Sequence, residues 1–274
     1  MITALPRIAI AVYDFDGAVT TFRDVFGLPV VDFSARTAPA LGAHVAMCAP
    51  QGGSNIELMS PADPGKPLSQ ALQKFLDRRG EGPYALMLEA PDPDAEAVAL
   101  AERGLDVMPL MPGAGGRDVH PRSTHGVLVR VYPNNSAQVT ATESQAPGLS
   151  GIMKAIIATA DASLAADVYG RGFGLHAGPV VIDEQRGVRY VHCRAPKGGV
   201  IELVSANNPD TPFAEAILRH LKDGNGGLYA LVLQCADPQA GVALLEPRGV
   251  AAEGGPVGAL VAHGMRFLIE QRLA

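Results

Sequence analysis

Residues 6–30 read PRIAIAVYDFDGAVTTFRDVFGLPV, and residues 153–177 read MKAIIATADASLAADVYGRGFGLHA; the two stretches align without a gap. Three further pairs repeat in the same order, namely 55–72 with 200–217, 82–93 with 227–238, and 125–131 with 263–269. Ordered self-similarity of this kind indicates duplication of a structural unit. We therefore predict two domains, 1–133 and 151–274, joined by a polar linker over 134–150.

Each unit is itself doubled in its pattern of secondary structure. The predicted elements of the first unit are a strand over 6–12, a helix that begins near Asp16, strands near 43–49 and 55–59, a linking helix over about 68–78, a strand over 84–89, a helix over about 93–103 and a last strand over 127–132. The predicted fold class is α+β, with two βαβββ modules in each unit and four in the chain.

The composition excludes several classes of protein. Hydrophobic residues make up 47% of the 274 residues and charged residues 18%, which favours a folded core over disorder. A net charge of −6 argues against general nucleic-acid binding. We find no apolar run long enough for a membrane span and no basic leader ahead of Asp14 and Asp16. The three cysteines show no CxxC spacing, so we expect a reducing, cytoplasmic location without disulfides.

Several motifs together resemble those of the vicinal oxygen chelate superfamily, which includes glyoxalases, bleomycin resistance proteins and extradiol dioxygenases. They are the opening stretch 6–30, NIELMSP at 55–61, FLDRRGEGPYALMLEAPD at 75–92, and MPGAGGRDVHPRSTHGVLVRV at 111–131. Within the superfamily the sequence is most similar to the methylmalonyl-CoA epimerases and to glyoxalase I. The resemblance implies tandem glyoxalase-like domains, each with two modules whose sheets curl into a cup around one pocket.

The resemblance also implies a metal ligand on each of four strands of a cup. These positions fall on Arg7, Glu57, Ala85 and Arg130 in the first unit, and on Lys154, Glu202, Ala230 and Leu268 in the second. Arginine has no lone pair to give to a metal ion, and a catalytic ion generally needs three protein ligands. We therefore expect no metal and no other cofactor in either cup.

A buried carboxylate without a metal requires a partner of opposite charge. We expect Arg7 to pair with Glu57, and Lys154 to pair with Glu202. A second arginine, Arg130, then leaves one positive charge in the first cup, which favours a carboxylate, phosphate or enolate ligand. The first unit alone keeps the long 111–124 loop, so we expect the functional pocket there.

Strand alternation places further side chains in the cups. The candidate catalytic residues are Glu57, Arg7 and Arg130, and the candidate substrate-binding residues are His44, Met87, Glu89, Leu128, Tyr132 and His125. The candidate residues of the second cup are Lys154, Glu202, Arg266, Glu270 and His263, with Arg266 and Glu270 expected to form a second ion pair. Alternation points Tyr84 and Tyr229 away from the cups. Cys48 is interpreted as a buried free cysteine, and His125 and His263 as turn-capping or acid–base residues.

Three functions remain open at this stage. The first is a metal-independent isomerase, epimerase or lyase acting on a small organic anion or acyl-CoA-like substrate, with the arginines polarising a carbonyl group and Glu57 moving a proton. The second is non-catalytic small-molecule binding, as in bleomycin resistance proteins, and the third is a structural pseudoenzyme. Two cups in one chain predict either a monomer that mimics a dimer or a homodimer.

Overall fold

The protein folds around two mixed sheets, one in each half of the chain. The computed structural model describes residues 1–136, 138–222, 226–245, 251–252 and 259–272. The first sheet has seven strands in the order β2-β3-β4-β1-β5-β7-β6, and the second has nine, with β10-β11-β12-β8-β13-β16-β15-β14 in a row and β9 paired to β11. These sheets confirm the α+β class and the predicted doubling.

The first unit contains most of the predicted elements and one additional helix. Its strands are β1 Ala4–Ala11, β2 Val30–Asp32, β3 Ala43–Cys48, β4 Asn55–Pro61, β5 Gly82–Ala90, β6 Arg117–Val119 and β7 Val129–Pro133. Its helices are α1 Phe15–Thr20, α2 Ser34–Leu41, α3 Pro67–Arg79 and α4 Pro93–Glu102. In the second module the remaining strand is reduced to a bridge between Val107 and Val119.

The second unit repeats this order. Its strands are β8 Lys154–Ala158, β9 His176–Ala177, β10 Val181–Asp183, β11 Val188–Arg194, β12 Val200–Ala206, β13 Gly227–Cys235, β14 Ala251–Ala252, β15 Ala259–Ala262 and β16 Met265–Gln271. Its helices are α5 Ala162–Asp167, α6 Pro212–Lys222 and α7 Pro238–Leu245. The counterpart of the 111–124 loop includes residues 253–258, which lie outside the described residues. No helix among the described residues is long and apolar enough to cross a membrane.

The first helix of each unit begins in the same way. The Asp14 side chain accepts a hydrogen bond from the backbone N–H of Gly17 at the start of α1, and the Asp161 side chain caps α5 through Ser163 and Leu164. Each helix continues as a π-helical turn, over Thr21–Val25 and Val168–Gly172. Gly27 follows the first of these turns with φ 69°, which suits a residue without a side chain.

One apolar core joins the two units. The Phe22 and Phe26 rings of the first unit lie 5.8 and 5.3 Å from the Phe267 ring on β16. In the reciprocal direction, the Tyr169 hydroxyl of the second unit donates to the Thr124 carbonyl oxygen of the first. The outward faces of both sheets contribute to this single cluster, including Ile8, Ile10, Leu86 and Val129 as alternation predicts. Each unit therefore packs its first helix against the sheet of the other.

A helix also covers the opposite face of each sheet, which we call the cup face. Leu68, Leu72 and Leu76 of α3 pack with Ala9 and Ala85 in the first unit. Phe213, Ala214 and Ile217 of α6 pack on the cup face of the second sheet. The segment predicted as a linking helix thus fills much of the cup.

Candidate functional site

The predicted ion pair between Arg7 and Glu57 is present at the centre of the first cup. These residues come from the neighbouring parallel strands β1 and β4. Arg7 Nε donates to Glu57 Oε2 at 2.9 Å, and both side chains are nearly enclosed, with 4% and 10% exposed. The guanidinium of Arg7 thus compensates the charge of the buried Glu57 carboxylate.

The other end of Arg7 is also engaged. Its Nη1 donates to Ser136 Oγ at 3.0 Å, and Ser136 donates from both its backbone N and its Oγ to Glu89 Oε1, at 3.1 and 3.2 Å. The Tyr132 ring lies under the Arg7 guanidinium, with 4.7 Å between Cζ and the ring centroid. Glu89 and Tyr132, two predicted site residues, therefore hold Arg7 in place.

The predicted spare positive charge of the first cup is wrong. Arg130 Nε donates to Asp118 Oδ1 at 2.6 Å, with side-chain exposures of 0% and 7%. Asp118 lies directly opposite Arg130 in the β6–β7 register. With Glu57 and Glu89 also buried, the two arginines face three carboxylates. Strand alternation does not identify Asp118, because the 111–124 segment has the sequence pattern of a loop.

Arg130 nevertheless keeps unused hydrogen-bonding capacity. Its Nη1 and Nη2 are buried and have no hydrogen-bond partner among the described residues. Burial works to lower the pKa of Arg130, but the adjacent Tyr132, Asp118 and Tyr84 outweigh it and raise the pKa. The residue is thus a permanent buried cation whose two terminal NH₂ groups have no hydrogen-bond acceptor among the described residues, which is an energetically costly arrangement.

His44 does not join these arginines. It shares the alternation of Ala46 on β3, which belongs to the core between the units, and its ring lies 5.4 Å from that of Phe15. Burial raises the pKa of Cys48, which is a free buried cysteine as predicted. Met87 lies on the cup face, whereas His125 occupies a turn at φ 55° and is half-buried, and burial lowers its pKa despite Asp161 nearby.

The second cup is built around Glu202, which has three cationic or imidazole partners. Lys154 Nζ lies 3.5 Å from Oε2, as predicted, while Arg186 Nη1 and His192 Nε2 approach more closely at 2.7 and 2.8 Å. Burial alone would raise the pKa of Glu202, but these partners, His192 first, lower it to about 2. His192 lies opposite Glu202 in the β11–β12 register, so hairpin pairing could have revealed it.

The predicted pairing of Glu270 needs correction. Its Oε1 accepts from Lys154 Nζ at 2.9 Å. Arg266 lies over the Tyr229 ring, with its Cζ 4.3 Å from the centroid, and its Nη1 donates to the Tyr229 carbonyl oxygen at 3.4 Å. His263 bonds Glu81 of the first unit at 2.8 Å and Thr21 at 3.2 Å, so it bridges the two units.

Neither cup fits a divalent metal ion. In the first, Arg7 and Arg130 place guanidinium groups at two of the four positions that the resemblance implies for metal ligands. In the second, both Glu202 oxygens accept from cations or imidazole. Among the described residues no three His, Cys, Asp or Glu side chains cluster as ligands would.

One cavity lies between the units and not at the centre of either cup. It has a volume of about 540 Å³ and is lined from both sides. The lining side chains that matter for recognition are Lys74, Phe75, Arg78, Tyr84, Met108, Met111, Asp118, His120 and Leu128 of the first unit, and His220, Tyr229 and Arg266 of the second. Of the predicted site residues, only Leu128 and Arg266 reach this wall.

The prediction that Tyr84 and Tyr229 point away from the cups is wrong, because both pack with residues of the cup faces and also line the cavity. A register shift in the β1–β5 pairing puts Tyr84 on the same side as Ala85, and the β8–β13 pairing repeats the shift at Tyr229. Such a bulge breaks simple alternation. Burial raises the pKa of Tyr84 to about 12, so its hydroxyl stays protonated.

Glycines let the two backbones meet beside the cavity. A methyl group added to Gly126 would collide with the carbonyl of Gly226, and one added to Gly264 would collide with that of Glu81. Gly126 and Gly264 also have positive φ, at 87° and 66°. This contact, which we call the glycine seam, fixes the separation of the cavity walls.

Comparison with known proteins agrees with the architecture. Residues 7–120 match the family model for the Glyoxalase/Bleomycin resistance protein/Dioxygenase superfamily. A triple mutant of 4-hydroxymandelate synthase from Streptomyces coelicolor is similar in fold, with a TM-score of 0.63 and 13% identity over 91% of this chain and 76% of that one. No curated protein matches.

Smaller proteins resemble half of the chain. A methylmalonyl-CoA epimerase variant from Streptomyces coelicolor, in complex with 2-nitronate-propionyl-CoA, is 25% identical over 51% of this chain and all of its own, with a TM-score of 0.42. The methylmalonyl-CoA epimerase from Mycobacterium tuberculosis is 28% identical over 48% of this chain and 88% of its own, with a TM-score of 0.38. Residues 7–120 of the chain are thus similar in sequence to the Glyoxalase/Bleomycin resistance protein/Dioxygenase superfamily, and the fold of the whole chain agrees with two such domains.

Proposed function

We propose that the protein binds a small organic anion with an apolar body, without a metal ion, in the cavity between its two units. The observation that carries the proposal is the cavity itself, which has a volume of about 540 Å³ and combines aromatic and methionine side chains with several cations. Ligand sites typically join a mostly apolar wall to a few polar groups that fix orientation.

The charge of the wall favours an anion. Lys74 and Arg78 stand at the mouth, on the last turns of α3, and Arg266 lies half-buried on the opposite side. Two acids of the described part of the wall are already engaged, since Asp118 accepts from Arg130 and Glu81 pairs with His263. A ligand carboxylate or phosphate therefore meets a wall on which Lys74, Arg78 and Arg266 stand beside acids that already have partners.

Binding fits the geometry better than turnover at Glu57. A general base needs access to the proton that it removes. Glu57 is nearly enclosed, bonded to Arg7 and absent from the cavity wall. In our proposal the predicted catalytic residues Arg7, Glu57 and Arg130 therefore form buried ion pairs inside the first cup and do not contact the ligand.

One observation favours isomerase, epimerase or lyase chemistry as a second candidate. Asp118 and His120, a carboxylate and an imidazole two residues apart, both line the cavity. They could serve as the acid and base for moving a proton on a bound carboxylate or acyl-CoA-like thioester. In that case solvent deuterium would enter such a ligand in the presence of the protein, and replacing His120 with Ala would abolish the exchange.

The binding proposal is tested by calorimetric titration of chelator-treated protein with arylalkanoic acids and with short acids such as acetate. The arylalkanoates should bind and acetate should not. Replacing Ala71, on the cavity wall, with Trp should weaken binding at least about tenfold, equal to ~1.4 kcal/mol. The matched control is the same change at Ala95, which is exposed on α4. Equal affinity of both variants, or no binding of any arylalkanoate, would refute the proposal.

A further inference from the structure

The cavity is lined by pairs of residues from equivalent positions of the duplicated units. The alignment of 82–93 with 227–238 pairs Tyr84 with Tyr229, and the same offset pairs Phe75 with His220. The alignment of 125–131 with 263–269 pairs Leu128 with Arg266. All six side chains line the cavity, so it straddles the approximate symmetry between the units.

We propose that the two walls have diverged so that the ligand binds in one orientation only, an inference that rests on the proposed function. The acidic group binds at the second-unit wall, against Arg266 and His220, and the apolar body lies on the first-unit wall, against Phe75 and Leu128. The ligand class is accordingly a one-headed amphiphile, with a carboxylate, sulfonate or phosphate at one end and an aromatic or aliphatic body at the other.

The second-unit wall is organised around Tyr229. The Arg266 guanidinium stacks on one side of this ring at 4.3 Å, and the His220 ring meets it edge-on with centroids 5.2 Å apart. Stacking limits the rotamers of Arg266, and a planar guanidinium suits a two-point contact with an oxyanion. Because Arg266 is half-buried, its charge is less screened by solvent than that of the exposed Lys74 and Arg78 at the mouth.

The first-unit wall offers an apolar surface instead. The Phe75 and Tyr84 rings meet edge-on at 5.3 Å, in the same arrangement as His220 and Tyr229. Leu128, Met108 and Met111 extend that surface. The attraction of Arg266 therefore directs the acidic head toward the second unit, while the apolar body meets the first.

The test compares two fluorescent probes that share an anilinonaphthalene body. 8-Anilinonaphthalene-1-sulfonate carries an acidic head, and N-phenyl-1-naphthylamine does not. Arg266→Leu installs the residue of the equivalent position, and should weaken the sulfonate at least about tenfold while changing the uncharged probe by less than about twofold. His220→Phe should weaken the sulfonate alone by about threefold. Arg171→Leu, which removes a charge at a side chain 86% exposed outside the cavity, is the matched control.

The outcomes separate the two proposals. If neither probe binds the unaltered protein, the proposed function fails and the direction fails with it. If both bind but Arg266→Leu weakens them equally, or weakens neither, the cavity binds ligands and the proposed direction is overturned. Unchanged binding of the uncharged probe to Arg266→Leu shows that the variant has kept its fold, and Arg266→Lys should retain part of the lost sulfonate affinity.

Discussion

The two cups keep the same glutamate on the same strand and neutralise it in different ways. Glu57 takes one strong contact from Arg7, whose other end reaches Ser136 and Glu89. Glu202 is surrounded by Lys154, Arg186 and His192. The comparison teaches that one buried glutamate at equivalent positions can be neutralised by different sets of partners. Each unit recruits whichever cations its neighbouring strands and turns supply.

The largest expected effect is at the equivalent positions that carry Arg130 in the first unit and Leu268 in the second. Arg130→Ala leaves Asp118 buried without its partner and should lower the free energy of unfolding by about 3–5 kcal/mol. Leu268→Ala, at a half-buried side chain, should cost less, about 1–2 kcal/mol. Urea denaturation measures both, and equal losses would show that the Arg130–Asp118 pair does not set the cost.

The next largest effect is expected at the buried glutamate of each cup. Glu202→Gln removes the charge shared by three partners, whereas Glu57→Gln removes the charge facing one arginine. We expect losses of about 3 and about 2 kcal/mol in the free energy of unfolding. A larger loss for Glu57→Gln, in the same urea titration, would reverse the comparison.

The pKa of Glu202 predicts a matching pH dependence. Its folded pKa of about 2 lies below the ordinary value of 4.5, so the unfolded chain binds the extra proton between these two pH values. Stability from this group is complete above about pH 4.5 and is lost as the pH falls toward 2, by about 3 kcal/mol in all. Glu202→Gln should flatten that part of the stability curve, while Glu215→Gln, at an exposed pair on α6, should leave it unchanged.

The smallest expected effect concerns the reciprocal packing of the first helices. Tyr169 aligns with Phe22, but only the tyrosine reaches across to bond the Thr124 carbonyl. Tyr169→Phe should lower the free energy of unfolding by about 1 kcal/mol by leaving that buried oxygen without its donor. A loss above about 3 kcal/mol would mean that the ring packing also changed.

The residues of the cups could be predicted from the sequence where the strands follow a regular alternation. Alternation placed Ala9, Ala85 and Met87 on the cup face, and the ligand positions implied by the resemblance led to the pairing of Arg7 with Glu57. Alternation gave the wrong face where a bulge interrupts the regular inward and outward order of side chains, as beside Tyr84 and Tyr229. It also failed for Asp118, whose short strand β6 carries no pattern long enough to recognise.

The cavity could not be predicted for a different reason. Its walls come from two units whose relative placement depends on contacts far apart in the chain, such as Phe26 with Phe267 and His263 with Glu81. The repeat alignment identified Leu128 and Arg266 as equivalent, but nothing in either strand says that they face one another across a gap. The positions of the boundaries near residues 133 and 150 also stay a prediction.

The glycine seam has a consequence for how this molecule can be altered. A methyl group on Gly126 or Gly264 would push away the backbone of the other unit. The two glycines therefore hold the cavity walls beside them at a fixed distance. Replacing side chains of the cavity wall with smaller ones would therefore make room for bulkier compounds without changing the distance between the walls. A single glycine-to-alanine substitution at the glycine seam would instead move the two units apart. If the two units were expressed as separate polypeptides, they would form the cavity only after associating with each other.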